Sequence, residues 1–403
     1  MNNKKIVLIF ISHYLPGYKS GGPLRTIVNM VEHLSDEFQF CIVNKDRDLG
    51  DSSAYSEIKP NEWQPVGKAM VYYLSPDSCT MKNIFKLIST TPHDLVYLNS
   101  FFDSFGTIRP LIARRLGRLP FKPVVLAPRG EFSAGALKLK ALKKLIYIKI
   151  ARLLRLYRDV LWQASSEYEV QDIKRGMVVD VADIHIATDL PTMVTVETHS
   201  SPVLLGNCDE HCLRIVFLSR ISPMKNLDYA LQVLRQVKST VIFDIYGPSE
   251  DAQYWRQCQN LIKQLPNNIS VTYKGSVAAD HVRSVFRNYD LFFFPTRGEN
   301  YGHVIAESLS VGTPILISDQ TPWRNLWADN MGWDLPLDKK EEFAHIIDDY
   351  SLMVSSDRFE LRKNIKEKIV QRLTDPLVFE ANRELFRKAL QKKIIGGLVD
   401  VHR

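Results

Sequence analysis

Short runs of apolar residues alternate with longer stretches in which apolar positions recur every three or four residues. In the first half of the chain, seven apolar runs have the length and continuity of β-strands that are buried on both faces. They cover residues 4–12, 38–43, 70–74, 95–98, 124–127, 160–164 and 184–187. Strands that alternate with helices predict a parallel, doubly wound α/β sheet.

A second alternation begins after a change of composition near residue 191. Residues 191–211 are rich in Thr, Ser, Pro and acidic residues, which indicates an interdomain connection and an outer strand. We expect ligands at the carboxyl ends of the strands that follow, because open α/β sheets bind ligands there. These strands are predicted from the apolar runs at 214–219, 240–246, 269–274 and 290–294.

Length and composition suit a globular protein of two domains. The 403 residues exceed one ordinary core and fit two domains of about 200 residues each. Hydrophobic and charged contents of 45% and 24% are ordinary for a soluble protein. We predict a first domain at 1–190, a second at 191–375, and at 376–403 a C-terminal helix and tail that crosses back to the first domain.

Net charge and cysteine content indicate which partners and which cellular compartment suit the protein. The net charge of +7 favours anionic partners such as nucleotides, phospholipid headgroups or nucleic acid. The five cysteines are scattered and odd in number, which is typical of reduced thiols in a cytosolic protein. Cys208, His211 and Cys212 lie close in sequence but lack a second ligand pair, so no metal site is predicted. We recognise neither a secretory signal nor a membrane-spanning run.

Two short motifs in the first half have both a structural and a chemical interpretation. Gly21 and Gly22 precede Pro23 at a strand-to-helix junction, where backbone amides can approach an anion, but a tight turn explains the pair equally well. Asp46 and Asp48 form the D-x-D pattern of metal-dependent sugar transferases. No other candidate metal ligand lies near them, so we predict a solvated loop. Neither G-x-G-x-x-G nor a P-loop is present, which argues against a nicotinamide enzyme or an NTPase.

The strongest chemical signal combines polar residues that follow two different strands. Arg220 and Lys225 follow the run at 214–219, and Glu299 and Glu307 follow the run at 290–294. Arginine offers a planar fork and lysine a point charge to a diphosphate. A carboxylate is repelled by phosphate but accepts hydrogen bonds from sugar hydroxyls. Cations and acids together therefore predict a site for a nucleotide diphosphate-sugar.

These motifs resemble those of the retaining glycosyltransferases of family 4, which have the GT-B architecture. The resemblance rests on GGP at 21–23, SRISPMKN at 219–226, ENYGHVIAE at 299–307 and the Gly-Thr-Pro turn at 312–314. It is strong over 213–318 and weak before 191. It implies two Rossmann-like, doubly wound parallel-sheet domains that face each other across a cleft. The C-terminal domain would hold the donor and the N-terminal domain the acceptor, with no metal or other cofactor.

By position, the resemblance also implies roles for single residues. Arg220 and Lys225 would bind the diphosphate and neutralise it as it leaves, and Glu299 would hold the donor sugar. Glu307 would meet the ribose. The other implied substrate contacts are Tyr301, Gly302 and His303, which would face the sugar and phosphate, and Gly21 and Gly22, which would approach the phosphates from the N-terminal domain.

The expected reaction is transfer with retention to a lipid-linked or glycan acceptor, in the biosynthesis of cell-surface polysaccharide. Two departures from the family pattern limit the assignment of roles. Many relatives place a histidine near the reacting carbon, in the region that here reads LAPRGEFSAGAL at 126–137. Arg129 is therefore a candidate contact for sugar or phosphate, and no second catalytic group is predicted. Tyr301 stands where phenylalanine is usual.

A basic stretch between Leu137 and Arg158 predicts a further interaction. Its eight Lys and Arg residues are interleaved with Leu and Ile, and no acidic residue appears before Asp159. One interpretation is a basic amphipathic helix on an anionic membrane surface, which places a cytoplasmic protein at the inner face of the cell membrane. The other is a long domain helix with a solvated basic face and a buried apolar face. Nucleic acid is not the predicted partner, since no aromatic platform or known binding motif accompanies the charge.

Two other functions are compatible with a sugar-nucleotide site. A sugar-nucleotide epimerase of similar two-domain fold would turn over the donor without an acceptor. A non-catalytic binding protein would be stabilised by the donor but would transfer nothing, and the missing histidine supports this alternative.

Overall fold

The computed structural model describes residues 4–116, 122–192 and 212–396, and these form two compact units. The N-terminal unit contains the chain up to Met193 and again from Pro376 onwards, and the C-terminal unit contains Val194–Asp375. The outer strand predicted within 191–211 lies outside the described residues, as do Cys208 and His211.

An eight-stranded sheet forms the centre of the N-terminal unit. Its strands are β1 (Lys5–Phe10), β2 (Phe38–Lys45), β3 (Trp63–Val66), β4 (Ala69–Leu74), β5 (Leu95–Asn99), β6 (Val124–Ala127), β7 (Val160–Ala164) and β8 (Ile184–Ile186). Their order is β3-β4-β2-β1-β5-β6-β7-β8, and β3 alone among them pairs antiparallel with its neighbour. Residues 7–10 of β1 are fully buried and pack into clusters on both faces of the sheet, as the apolar run predicts.

Helices cover both faces of this sheet. They are α1 (Gly22–Leu34), α2 (Met81–Thr90), α3 (Arg109–Arg115), α4 (Ala134–Lys138), α5 (Ala141–Leu153) and α6 (Glu167–Gly176). The last helix of the chain, Pro376–Gly396, also packs on this unit, where the Phe386 ring lies 5.1 Å from that of Phe38 and 5.8 Å from that of Tyr97. Arg387 of this helix pairs with Glu37 at 2.8 Å.

A six-stranded parallel sheet forms the centre of the C-terminal unit. Its strands are β9 (Cys212–Leu218), β10 (Thr240–Tyr246), β11 (Ile269–Gly275), β12 (Leu291–Phe294), β13 (Ile315–Ser318) and β14 (Gly332–Leu335), in the order β11-β10-β9-β12-β13-β14. The helices are α7 (Leu227–Leu234), α8 (Ala252–Ile262), α9 (Val282–Arg287), α10 (His303–Ser310), α11 (Lys340–Leu352) and α12 (Ser355–Leu373), so the C-terminal helix of the N-terminal unit is α13. The predicted doubly wound α/β class is confirmed.

The prediction of a solvated loop at Asp46 and Asp48 is wrong. Both side chains are buried. Asp48 accepts hydrogen bonds from the backbone amides of Tyr18 at 2.8 Å and Lys19 at 3.1 Å. Asp46 pairs with Arg47 at 2.8 Å. A carboxylate that loses water on burial needs such donors, so Asp48 holds the loop before α1 in place.

The basic stretch between Leu137 and Arg158 does not form one long helix. It contains the end of α4 and all of α5, and the break between them lies at Leu139 and Lys140. Lys140 has a φ of 55°, a left-handed conformation that cannot continue a right-handed helix. Among the described residues, no helix is both long enough and apolar enough to cross a bilayer.

Candidate functional site

The carboxyl ends of β9 and β12 bring Lys225 and Glu299 together in the C-terminal unit. These strands are parallel neighbours, with Ile215 opposite Leu291, so the loops that follow them meet at one edge of the sheet. Lys225 Nζ forms an ion pair with Glu299 Oε1, although 74 residues separate them. Their side chains are only 13% and 14% exposed. The structure therefore joins two residues that sequence reasoning assigned to one site.

Two residues that sequence reasoning missed fix these loops to each other. Asn226 donates from Nδ2 to the carbonyl of Pro295 at 2.8 Å and accepts from Arg297 Nε at 2.8 Å. The amide of Arg297 donates to the carbonyl of Met224 at 2.9 Å. Asn226 has a φ of 64°, which asparagine tolerates better than most residues. An asparagine between a polar loop and an apolar helix was the available signal for this role.

Arg220 lies at the same edge but pairs with a different loop. Its Nη1 is 3.0 Å from Glu250 Oε1, in the loop that follows β10. The amide of Ile221 donates to the carbonyl of Pro248 at 2.9 Å, which ties this loop to the end of β9. The Arg220 side chain remains about one-third exposed and is accessible to a ligand. Glu250 was not a predicted site residue.

The loop that carries Glu250 depends on a glycine at its start. Gly247 has a φ of 131°, and an added Cβ would overlap the carbonyl oxygen of Ser219. Gly275 also has a positive φ, of 76°, but no atom lies within 4 Å of its Cβ position. An alanine at Gly275 would therefore cost only the strained backbone conformation. An alanine at Gly247 would add the steric overlap with Ser219.

We expect Gly247→Ala to lower the free energy of unfolding by about 3 kcal/mol or more, and Gly275→Ala by about 1 kcal/mol. Urea unfolding of the two variants, with far-ultraviolet circular dichroism as the signal, measures both values. Equal losses at the two positions would contradict the role given to the contact with Ser219.

The second half of the predicted motif forms the start of α10. Gly302 is the N-cap, with a φ of 79° that suits glycine, and an added Cβ would lie 2.9 Å from Ile305 Cδ1. His303 and Glu307 lie in the helix and are buried. The rings of Tyr301 and His303 are 4.7 Å apart. The amino end of a helix favours anions, so the start of α10 is suited to a phosphate group.

Trp323 supports the loop between Glu299 and Gly302. Its Nε1 donates to the carbonyl of Tyr301 at 2.6 Å, and its ring lies 4.2 Å from the guanidinium of Arg372. Trp323 is buried, so its N–H group replaces water as the partner of that carbonyl. Nothing in the motif at 299–307 indicated this residue, because it lies sixteen or more positions downstream.

We expect Trp323→Phe to lower the free energy of unfolding by about 1–3 kcal/mol, because the Tyr301 carbonyl loses its buried donor. Trp327→Phe is the matched control, since this tryptophan is 68% exposed and should change stability by less than about 0.5 kcal/mol. Chemical denaturation of both variants measures the difference. A loss no larger for Trp323→Phe than for Trp327→Phe would argue against the supporting role.

The predicted residues of the N-terminal unit lie at the carboxyl edge of their own sheet. Gly21 and Gly22 follow β1 and start α1 as the N-cap and the first helical residue. Arg129 follows β6, but its side chain is directed into the protein. Its Nε donates to Asn99 Oδ1 at 2.7 Å, and its two terminal nitrogens donate to Asp189 and to the Tyr97 hydroxyl. Arg129 is thus held in a buried network, an arrangement that suits a structural role.

Two buried carboxylates hold the loop that contains Arg129. Glu131 accepts from the backbone amides of Phe101 and Phe102 at 2.5 and 3.0 Å. Glu169 accepts from the amide of Gly130 at 2.6 Å. Burial raises the pKa of both carboxyl groups, and hydrogen bonds from backbone amides counteract that shift. These hydrogen bonds therefore hold the loop after β6 in place.

Comparison with solved structures identifies the architecture. The chain is similar to a structure of HepE from Anabaena in complex with UDP and glucose, with a TM-score of 0.69 and 15% identity over 96% of this chain and 99% of that one. The fold is GT-B. A second GT-B structure, WaaG, described as a glycosyltransferase involved in lipopolysaccharide biosynthesis, has a TM-score of 0.63 and 13% identity over 97% of this chain and all of that one.

Sequence comparisons agree with the GT-B assignment. Residues 209–372 match the model of the family described as glycosyl transferases group 1. This segment contains Arg220, Lys225, Glu299 and Glu307. An uncharacterized 41.2 kDa protein in the cps region of Klebsiella pneumoniae is 23% identical over 278 residues, which cover 67% of this chain and 72% of that protein. The family match therefore falls on the unit that holds the candidate site.

Proposed function

We propose that this protein is a retaining glycosyltransferase of the family 4 type, which moves a sugar from a nucleotide diphosphate-sugar to a lipid-linked or polysaccharide acceptor. The observation that carries the proposal is the contact of Lys225 with Glu299 at the carboxyl edge of the C-terminal sheet. A cation for phosphate and an acid for sugar hydroxyls are adjacent there, beside the start of α10. A similarly folded protein, HepE, binds UDP and glucose.

Each charged residue has a defined part in this proposal. On donor binding, Lys225 exchanges its contact with Glu299 for one with the diphosphate, and Glu299 accepts hydrogen bonds from the sugar. Arg220 neutralises a second phosphate oxygen. Tyr301, Gly302 and His303 contact the sugar and phosphate, and Glu307 contacts the ribose. In the N-terminal unit, amides of Gly21 and Gly22 approach phosphate.

The proposed chemistry is substitution at the anomeric carbon with retention. The bond between this carbon and the diphosphate oxygen breaks as the acceptor oxygen forms its bond on the same face. The acceptor proton passes to the departing diphosphate. Arg220 and Lys225 stabilise the charge that develops on that leaving group, a type of interaction that often provides the largest part of an enzymatic rate increase.

A thermal-shift panel of nucleotide diphosphate-sugars tests donor binding. A donor at about 100 times its dissociation constant should add about 2.7 kcal/mol to stability, so the true donor stands out. Lys225→Ala should abolish this shift. If no sugar nucleotide stabilises the wild-type protein, the proposal is wrong. Stabilisation without turnover on any glycan or lipid-linked acceptor would favour the non-catalytic alternative.

Two separate experiments test retention of configuration and independence of metal ions. The anomeric proton of the product, observed by nuclear magnetic resonance, should keep the configuration of the donor. Transfer should continue at an unchanged rate in excess EDTA, since we assign the neutralisation of the diphosphate to Arg220 and Lys225. An inverted product or a rate restored only by added divalent cation would contradict these two parts of the proposal.

We also propose that the protein acts in the cytoplasm, in the synthesis of cell-surface polysaccharide. Four cysteines lie within the described ranges, and all four are free thiols: Cys41, Cys79, Cys212 and Cys258. Free thiols suit a reducing compartment. WaaG, which shares the fold, takes part in lipopolysaccharide biosynthesis.

A further inference from the structure

Helix α5 has two apolar faces on opposite sides. Ile148 and Ala151 are buried against the N-terminal unit, and Tyr147 packs beside them. The opposite side also carries large apolar residues, at spacings of four and seven positions that place them on one face of a helix. Leu142, Ile146 and Leu153 there are 74%, 50% and 83% exposed. An ordinary surface helix has one apolar face, so the second face requires an explanation.

Contacts at both ends of α5 determine which face is turned outwards. Lys144 Nζ donates to the carbonyl of Ala136 at 2.7 Å and lies 5.0 Å from the centre of the Phe102 ring. The hydroxyls of Tyr147 and Tyr157 are 2.7 Å apart. Arg152 donates to the carbonyl of Gly176 at 2.5 Å. Rotation of the helix to bury its outer leucines would break these contacts.

The apolar surface continues beyond this central row. Leu145, Ile150 and Leu154 are 52%, 50% and 65% exposed, so six large apolar side chains face outwards between Leu142 and Leu154. Leu142 and Leu153 are eleven residues apart, which corresponds to about 16 Å along a helix. We call these six residues, five in α5 and Leu154 as its C-cap, the outer face of α5.

Positive charge surrounds the outer face. Seven exposed Lys and Arg residues lie between Lys138 and Arg158, and no acidic residue occurs between Glu131 and Asp159. Lys143 and Lys149 alternate with the leucines of α5 itself. This charge opposes self-association, because two copies would place like charges against each other. A nucleic acid would pair with the charge but leave the leucines exposed to water.

We propose that the outer face of α5 binds the surface of an anionic phospholipid bilayer. Leu142, Ile146 and Leu153 enter the boundary between headgroups and acyl chains, with the helix parallel to the membrane plane. The surrounding Lys and Arg residues contact lipid phosphates. The inference rests on exposure and charge in the N-terminal unit and does not depend on the proposed donor site.

Co-sedimentation of the full chain with vesicles tests the inference. We compare vesicles of phosphatidylcholine alone with vesicles in which about 30% of the lipid is phosphatidylglycerol, which gives a negative surface. We expect binding to the anionic vesicles only. Leu142→Gln with Leu153→Gln should weaken that binding at least tenfold. Lys143→Gln with Lys149→Gln should weaken it about 25-fold, from about fivefold for each basic residue near an anionic surface.

Matched variants control for general loss of apolar surface or charge. Leu352→Gln with Val354→Gln removes two exposed apolar residues of the C-terminal unit, and Lys82→Gln with Lys86→Gln removes two exposed lysines of α2. Both should bind like the wild type. Equal binding by the Leu142/Leu153 variant, or no binding of the wild type to anionic vesicles, would overturn the inference.

Two further readouts separate this inference from others. A wild-type dimer in gel filtration that the Leu142/Leu153 variant converts to monomer would show that a second copy covers the face, and would overturn the membrane assignment. Stabilisation by the donor should be the same in the Leu142/Leu153 variant and the wild type. Loss of donor binding in Lys225→Ala with retained vesicle binding therefore separates a failure of the site from a failure of the surface.

Discussion

Lys225→Ala will slow sugar transfer by about 10²–10³-fold, the loss typical when one group that stabilises developing negative charge is removed. The ammonium group of Lys225 is held at the carboxyl edge of the sheet, where its side chain is only 13% exposed. Little water can take its place beside a departing diphosphate. Steady-state rates with the donor identified by thermal shift measure the loss. A cooperative thermal transition close to that of the wild type shows that the variant is folded.

Lys263→Ala is the matched control for this experiment. Lys263 follows α8, which leads from the carboxyl end of β10 to the amino end of β11, so it lies at the opposite edge of the same sheet. Its removal should leave the rate unchanged. Glu299→Ala should slow transfer about as much as Lys225→Ala, and the double variant should be little worse than either, because the two residues act as a unit. Independent losses that multiply in the double variant would contradict a shared site.

The order of the strands explains why the sequence could predict Arg220 and Lys225 at the carboxyl edge of the sheet but could not predict which acidic residue each would contact. β9 lies between β10 and β12. Arg220 follows β9 closely and meets Glu250 of the β10 loop, whereas Lys225 lies further along and meets Glu299 of the β12 loop. Apolar runs predict that strands exist, but they do not specify which strands are neighbours. The pairing of loop residues depends on that order.

The elements that sequence reasoning missed are short and carry weak signals. β3 has the sequence WQPV and pairs on one side only, which permits Pro65 because an edge strand can lack one backbone donor. β14 begins with Gly332 and is only partly buried. The prediction for Asp46 and Asp48 was wrong for a related reason. Two aspartates so close in sequence usually indicate a solvent-exposed loop. Only the folded chain brings the amides of Tyr18 and Lys19 to Asp48.

Arg129→Met will destabilise the N-terminal unit by about 3–5 kcal/mol, the usual cost of leaving a buried charge without its partner. Arg129 and Asp189 are 7% and 3% exposed, and Asp189 also accepts from the Thr26 hydroxyl at 3.0 Å. Burial by itself would lower the pKa of Arg129, but its interactions with Asp189, Tyr97 and Glu169 together outweigh burial, so the pKa lies above its usual value. In a unit of this size, we expect a melting temperature lower by about 10 °C.

Three companion variants make this prediction specific. Arg175→Met removes an ion pair with Asp172 in the same unit and should cost less than about 1 kcal/mol, because the Arg175 side chain is 68% exposed. Asp189→Asn, added to Arg129→Met, should restore part of the lost stability, because it removes the unpaired charge. Arg129→Lys keeps the charge but loses the planar set of donors to Asn99, Asp189 and Tyr97, so it should be intermediate in stability. If Arg129→Met instead melts like the wild type and has lost transfer activity, Arg129 contacts substrate, as its position in the loop after β6 suggests, and the structural role is wrong.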